Sequence, residues 1–565
     1  MRLSITLLFL LPTFFCHGQS DISYGWALNF GDSLWNEGHS ITIDKTGKIL
    51  VIGSFSGTVD LEIGPDATQL TSVDELDVFV AKYDSLGNFI RAFSIGGLNN
   101  DYGHAIGTDS QGNMYIVGSF AGTVDFDHGL GTAYLVNTGG PDLFIAKYDV
   151  LGGYVWAKSL RGLPPVGQFS YEHSLVVDNA GNIYITGYFF GPVDFDPSSA
   201  TTSVTGYGGY DIYLAKYDSF GNLIFAHSIG GISDDGARSI TVDVEGNIFL
   251  TGTFKDTVDF DPSLGVENLT SNGDRDIFIA KYGSNGNFVL AKSMGGPSED
   301  EGLSIVTDIH GNVYLAGRFN ETADLDPGSN LQNYTSTGFE DVFFMKFDSA
   351  LSVIYIKTFG GANSDRPVDI ELDNAGNLFI LGYYYGTSDF NPSSGVYNLT
   401  SAGERDIFIS KYDSIGNIEY AKSMGGASYD SPRSFVLDQN RNLYVTGRFG
   451  EVADFDPNFT TAELISSGVS DVFVAKYSDW TSTSSVTENS NNERSYIFPN
   501  PSNGLFEISA NNLVGYKVFD NKGRLILSKE GSTSNPINLI TEPTGIYFVH
   551  IITDNDLITV KLIKE

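Results

Sequence analysis

Three histidines stand at matching places in three successive stretches of the chain: His39, His104 and His173. Imidazole nitrogens bind transition metals, and nearby carboxylates can brace such ligands. Three positions earlier the aligned column reads Asn36, Asp101, Ser170, Asp235, Asp300, Asp365 and Asp430. Aspartates there can face a cation or polar ligand, or cap their own turns. The histidine column continues as Arg238, Leu303, Val368 and Arg433. His39 shares the parity of Ile41 and Ile43, which on a regular strand would pack it between neighbouring sheets.

A second pattern pairs acids two residues apart. It occurs as Asp60/Glu62, Asp125/Asp127, Asp194/Asp196, Asp259/Asp261, Asp324/Asp326, Asp389/Asn391 and Asp454/Asp456. On a strand such pairs share one face, a geometry that suits calcium. The competing reading has the acids accept loop amides or meet lysines. No residue is assigned a catalytic role. The chain has no HExxH, no GxSxG elbow and no glycine-rich phosphate loop between strand and helix. Carboxylate pairs for glycoside cleavage are set by three-dimensional spacing and cannot be picked from sequence.

A repeat positions these residues. The string DVFVAKY begins at Asp77, and variants begin at Asp142, Asp211, Asp276, Asp341, Asp406 and Asp471. The intervals are 65, 69, 65, 65, 65 and 65 residues. A fixed period of this size means one supersecondary unit copied. Residues 238–254 show its start: alternating Ile240 and Val242, a turn at Asp243–Asn247, then a second strand from Ile248. DIFIAKY at 276–282 is a third strand, and FVLAKS at 288–293 a fourth. Four antiparallel strands per unit predict an all-β, seven-bladed β-propeller; a solenoid would need distinct caps. The last copy stops after its third strand, while residues 25–30 read like a fourth. The N-terminal strand is therefore expected to complete the last blade and close the ring.

A residue present in every copy is expected to be structural. This covers the seven lysines from Lys82 to Lys476 and the turn aspartates from Asp44 to Asp438. Function is better sought where the repeat breaks. The four extra residues of the 69-residue interval fall in 163–173. They bring Pro164, Pro165, Phe169 and Tyr171 beside His173, stiff and aromatic residues suited to ligand contact, with neutral loop drift as the alternative.

Net charge is -37, from 32 basic and 69 acidic side chains. Phosphate backbones would be repelled, so nucleic acid is not an expected partner. The only cysteine is Cys16. It lies in an N-terminal stretch with Arg2 and an apolar run from Leu3 to Phe15, which reads as a secretory signal over 1–20. A lipoprotein signal acylated at Cys16 competes, but Phe14 and Phe15 are bulky for that processing. No other apolar run is long enough to span a bilayer as a helix.

The pieces SITVDVEGNIFLTGTF, DIFISKYDSIGN and AKSMGG resemble bacterial seven-bladed β-propeller repeat proteins over residues 25–478. That likeness implies a fold and no single activity. Residues 479–495 are polar and read as a linker. The segment 496–565 leaves the period and predicts a small β-sandwich. Its signatures PNPSNGLF, VFDNKGRLI, GIYFVHI and VKLIKE resemble the type IX secretion system (type A) C-terminal sorting domain. The resemblance carries Pro499, Asn500, Pro501, Gly504, Gly545, Tyr547 and Lys561 as sorting residues. It implies the type IX machinery as a partner and export from a Bacteroidetes-type cell, to be secreted or held at the surface. The expected function is a non-catalytic binding or structural module for a polysaccharide, surface protein or cation. The competing class is a secreted hydrolase or lyase with an acidic site at the channel mouth.

Overall fold

The computed structural model describes residues 20–62, 68–137, 139–163, 167–328, 330–458, 460–481 and parts of 496–564. Residues 1–19 of the expected signal segment, Pro164, Pro165, Pro499, Asn500, Pro501 and Gly504 lie outside the described residues, as does the side chain of Tyr171. All described regular structure is strand, and the sheets are antiparallel. The chain divides near residue 482 into two compact units.

One copy shows how the first unit is built. Gly236–Val242 pairs with Ile248–Asp259, which pairs with Asn268–Tyr282, which pairs with Phe288–Met294. The Asp243 side chain nucleates the first turn. Its Oδ1 accepts the N–H groups of Glu245 (2.9 Å) and Asn247 (2.8 Å), while Gly246 takes φ +84°. The same backbone closure recurs at Asp44, Asp109, Asp178, Asp308, Asp373 and Asp438. The turn aspartates are thus capping groups.

The first strand of each copy, called inner below, touches the first strand of the next, and Glu37–Ile43 touches both Tyr102–Thr108 and Ser431–Leu437. Apolar clusters bridge adjacent sheets: Tyr314 and Ala316 pack with Leu378 and Ile380. Each fully buried side chain of this size is worth about 1.5–3 kcal/mol. Repeat lysines add polar stitches. Lys216 Nζ donates to Ser284 O (2.9 Å) and Lys281 Nζ to Ser349 O (2.8 Å), each in the next copy. Lys476 Nζ in the last copy donates to Ser85 O in the first (3.0 Å).

The strand Ser20–Phe30 pairs antiparallel with Asp471–Thr481, with a bulge between Tyr24 and Trp26. The expected fourth strand over 25–30 is therefore five residues longer. Asp479, Trp480 and Thr481, read from sequence as linker, pair with Ile22, Asp21 and Ser20.

The second unit has a three-stranded and a four-stranded sheet. The latter runs Leu525–Glu530, Leu513–Asp520, Gly545–Thr553, Leu557–Lys564. Phe506 and Ile537 of the first sheet share a core with Tyr516, Val518, Tyr547 and Val549 of the second. Tyr547 OH donates to Pro543 O (2.6 Å), Gly545 opens its strand, and Lys561 pairs with Phe548 in the last ladder.

Candidate functional site

A recurrent bulge decides which side chains leave the core. In six inner strands the register skips one residue: His39, His104, Arg238, Leu303, Val368 or Arg433. The third strand is interrupted more widely, between Phe169 and His173. A bulge breaks the two-residue alternation. The skip at His39 removes it from the alternation that its sequence parity with Ile41 would give. His39 lines a cavity of about 660 Å³ together with His104, His173, Arg238, Leu303, Val368 and Arg433. Trp35, Glu37, Tyr102, Arg366, Pro367 and Tyr383 complete that wall. The seven bulge-column residues also line a second space of about 510 Å³, bounded by all seven inner strands.

Two buried glutamates organise the charge. Glu301 Oε1 accepts Arg238 Nε (2.6 Å), and Oε2 accepts Arg318 Nε and Arg366 Nη2 (both 2.9 Å). Arg318 also meets Glu299 and Glu340. Burial pushes the Glu301 carboxyl up, but Arg238, Arg366 and Arg318 outweigh it and hold it at about 2. Glu37 occupies the equivalent position in the first copy. It accepts Arg433 Nε and lies 3.4 Å from Arg448 Nε and 3.6 Å from His39 Nε2. Burial is again outweighed, here by His39 and the two arginines, and Glu37 sits at about 2. Glu301 holds the cavity-lining Arg366 through Nη2 and Glu37 holds Arg433 through Nε, so each of these two guanidiniums is fixed by one nitrogen at a wall where Arg238 also stands.

The histidines form a packed arc. His39 and His104 rings stack at 6.3 Å, and His104 meets His173 edge-on at 5.1 Å. Their nitrogens are engaged by protein: His39 Nδ1 with Gly103 O (2.6 Å), His104 Nε2 with Ser119 Oγ (3.1 Å), His173 Nδ1 with Tyr213 OH (2.7 Å). Burial, then the neighbouring His173 and His39, hold His104 far below the ordinary imidazole value. Among the described residues no cluster of three or more His, Cys, Asp or Glu is arranged for a metal.

The five column aspartates do not face the cavity. Asp101 Oδ2 accepts Gly97 N (2.8 Å) and Oδ1 accepts Ala121 N (3.0 Å), and Asp235, Asp300, Asp365 and Asp430 are buried the same way. The acid pairs also close loops. Asp259 Oδ1 accepts Asp261 N and Glu267 N, and Asp261 Oδ1 accepts Ser263 N. Asp125 with Asp127, and Asp194 with Asp196, repeat the arrangement. This is the loop-amide alternative weighed against calcium.

Phe169 differs most from expectation. It lies on the strand Gln168–Val177, is 6% exposed, and packs edge-on against Phe195 (5.5 Å) and Tyr213 (5.8 Å). The long interval lengthened a strand and fed an aromatic to the core.

Sequence reasoning missed Glu37, Glu301, Arg366, Tyr102, Trp35 and Tyr383. A signal was present: the column two before the bulge reads Glu37, Tyr102, Gly236, Glu301, Arg366 and Ser431 in six copies, residues of unlike type on a repeated frame. Deeper in, Ser40, Ser174, Ser239, Ser304 and Ser434 share a row that Asp369 enters. Asp369 accepts Ser304 Oγ (3.1 Å), Ser434 Oγ and Phe435 N (both 3.2 Å). Burial pushes Asp369 to about 6, and burial plus the charge of Asp369 push Glu371 to about 8.

Residues 496–565 match the family model of the secretion system C-terminal sorting domain. The protein is exported by type IX secretion. Its destination is the outer cell surface or the extracellular space. Among the described residues no helix is long and apolar enough to cross a membrane. The exported chain is 23% identical over 545 residues to an uncharacterized WD repeat-containing protein, L264, of Acanthamoeba polyphaga mimivirus. That match covers 82% of this chain and 39% of the viral protein. It is 24% identical over 238 residues to the regulatory protein FlaEY of Caulobacter vibrioides, covering 41% of this chain and 23% of the other. The chain thus spans well under half the length of either curated relative. A solved Trichoderma reesei carbohydrate-active enzyme of family AA12 aligns over 83% of this chain and 98% of its own, with 12% identity. Its TM-score of 0.29 is too low to argue from.

Proposed function

We propose that residues 20–481 form a closed seven-bladed β-propeller that acts outside the cell as a non-catalytic binding module. The cavity at its channel mouth is the binding site. Closure is supported by the pairing of Ser20–Phe30 with Asp471–Thr481, by the bond from Lys476 to Ser85, and by the WD-repeat name of one relative. One observation carries the site: scaffold positions repeat from copy to copy, whereas the mouth lining changes from His to Arg to Leu or Val on the same bulge. At the mouth, binding weighs above hydrolysis because Glu37, the carboxylate among its described lining residues, is held at about 2 by His39 and two arginines and keeps no proton to donate at neutral pH. The protonatable acids, Glu371 at about 8 and Asp369 at about 6, line the second space instead.

Two measurements test this reading. Deleting residues 20–30 should lower the melting temperature by roughly 5 °C or more, the loss expected when several kcal/mol of strand packing disappear from a unit of this size. An unchanged melting temperature would refute closure. Glycan-array screening of the full exported chain should give ligands that Leu303→Trp, which fills the mouth, no longer binds. Hits that Leu303→Trp retains would place the site elsewhere.

A further inference from the structure

We infer that the mouth recognises a carboxylate-bearing sugar, a uronic or sialic residue at the end of a glycan, with its carboxylate on Arg366 and Arg433. This rests on the mouth being the binding site. The argument begins from a contrast of charge. The chain carries a net -37, yet Arg238, Arg366 and Arg433 converge on one cavity of about 660 Å³. Among the described residues, the only carboxylate on that wall is Glu37, which is buried and already bound to Arg433.

The two guanidiniums are presented in advance of any ligand. Arg366 gives Nη2 to buried Glu301 and keeps 28% of its side chain exposed. Arg433 gives Nε to buried Glu37 and is 46% exposed. A guanidinium has five N–H donors, so one bonded edge leaves another for a planar, bidentate acceptor. The buried glutamates have removed much of the rotamer freedom that binding would otherwise have to freeze.

Shape and surroundings narrow the ligand further. A cavity of this size suits one or two sugar rings, and about 300–1,000 Å³ is usual for small-molecule sites. Trp35, Tyr102 and Tyr383 put aromatic carbon on the wall for the C–H side of a pyranose, with Arg448 over one face of Trp35 (5.4 Å) and Arg405 over one face of Tyr383 (4.5 Å). A long polyanion would be repelled by the acidic surface as it extended beyond the mouth, whereas a single terminal acid is not. Leu303, Val368 and Pro367 add an apolar patch that a bare inorganic anion would not use.

The test is calorimetry on the full exported chain with galacturonate and sialyl oligosaccharides, their methyl esters, and sulfated disaccharides. Carboxylated forms should bind, and esterification should weaken them about tenfold or more, the scale of one charged hydrogen bond. Arg366→Gln and Arg433→Gln should each cost a similar factor, with thermal stability tracked to confirm folding. Equal binding of acid and ester, a preference for the sulfated sugars, or indifference to both arginine changes would overturn the assignment. Neutral glycans blocked by Leu303→Trp but insensitive to the arginine changes would sink the acidic-sugar reading and leave the mouth reading standing. Acidic glycans that bind Leu303→Trp unchanged would sink both.

Discussion

Asp300 and Glu301 are neighbours in the chain, 0% and 1% exposed, yet their carboxyl groups behave oppositely. Asp300 is capped by two backbone N–H groups, and burial still pushes it to about 6. Glu301 meets three arginines and falls to about 2. Equal burial therefore does not fix the charge state; the partner does. The two residues also belong to different regions. Asp300 is one of five like aspartates in a buried collar that holds loops in place. Glu301 has a counterpart only in Glu37, and both anchor guanidiniums around the mouth. The collar is scaffold, and the mouth is where the copies were allowed to differ.

The strongest way to break this contrast is to remove each acid. Glu301→Ala would leave Arg238, Arg318 and Arg366 facing one another around an empty site. A loss of about 3–5 kcal/mol is expected from denaturant midpoints. Asp300→Asn keeps an acceptor for one of two amides and should cost about 1 kcal/mol. Equal losses would mean that the distinction between collar and mouth is wrong.

A pH series sharpens the same contrast with a smaller effect. Asp101, Asp211, Asp235, Asp276, Asp365 and Asp430 are raised to about 7 by burial. Their unfolded value is about 3.9. The folded chain binds more protons between those limits, so their contribution is complete below about pH 4 and is lost as the pH rises through about 7. Glu37 and Glu301 run the other way. Their contribution is present above an ordinary value of 4.5 and is lost as the pH falls towards about 2. The melting temperature should peak near pH 4–5, between the two sets. A flat profile from pH 5 to 8 would show that these six aspartates stay ionised.

Much of the scaffold was legible in the sequence because it is written seven times. The period, the turn at Asp243 and its copies, and the complementary ends could all be aligned against themselves. The site was legible only in part. His39 was located by column, but its parity left the cavity and the space between blades both open, because one skipped residue reverses strand parity and leaves no mark in composition. Glu301 and Arg238 are 63 residues apart in the chain, as the numbering of their bond shows, and only adjacent inner strands bring them to 2.6 Å. Phe169 looked like a contact residue because the interval around it is long. The added residues instead extended an inner strand and turned its ring inward.

The pairing of Ser20–Phe30 with Asp471–Thr481 has a consequence for survival outside the cell. The first and last strands of the repeat region are clamped together across some 440 residues of chain, as the Asn29–Asp471 and Asn29–Ile465 bonds illustrate. A protease that nicks one exposed loop would cut the chain but release neither fragment, since each piece remains hydrogen-bonded to the other at the seam. Single cleavage in the repeat region should therefore be nearly silent, and breakdown should need a second cut.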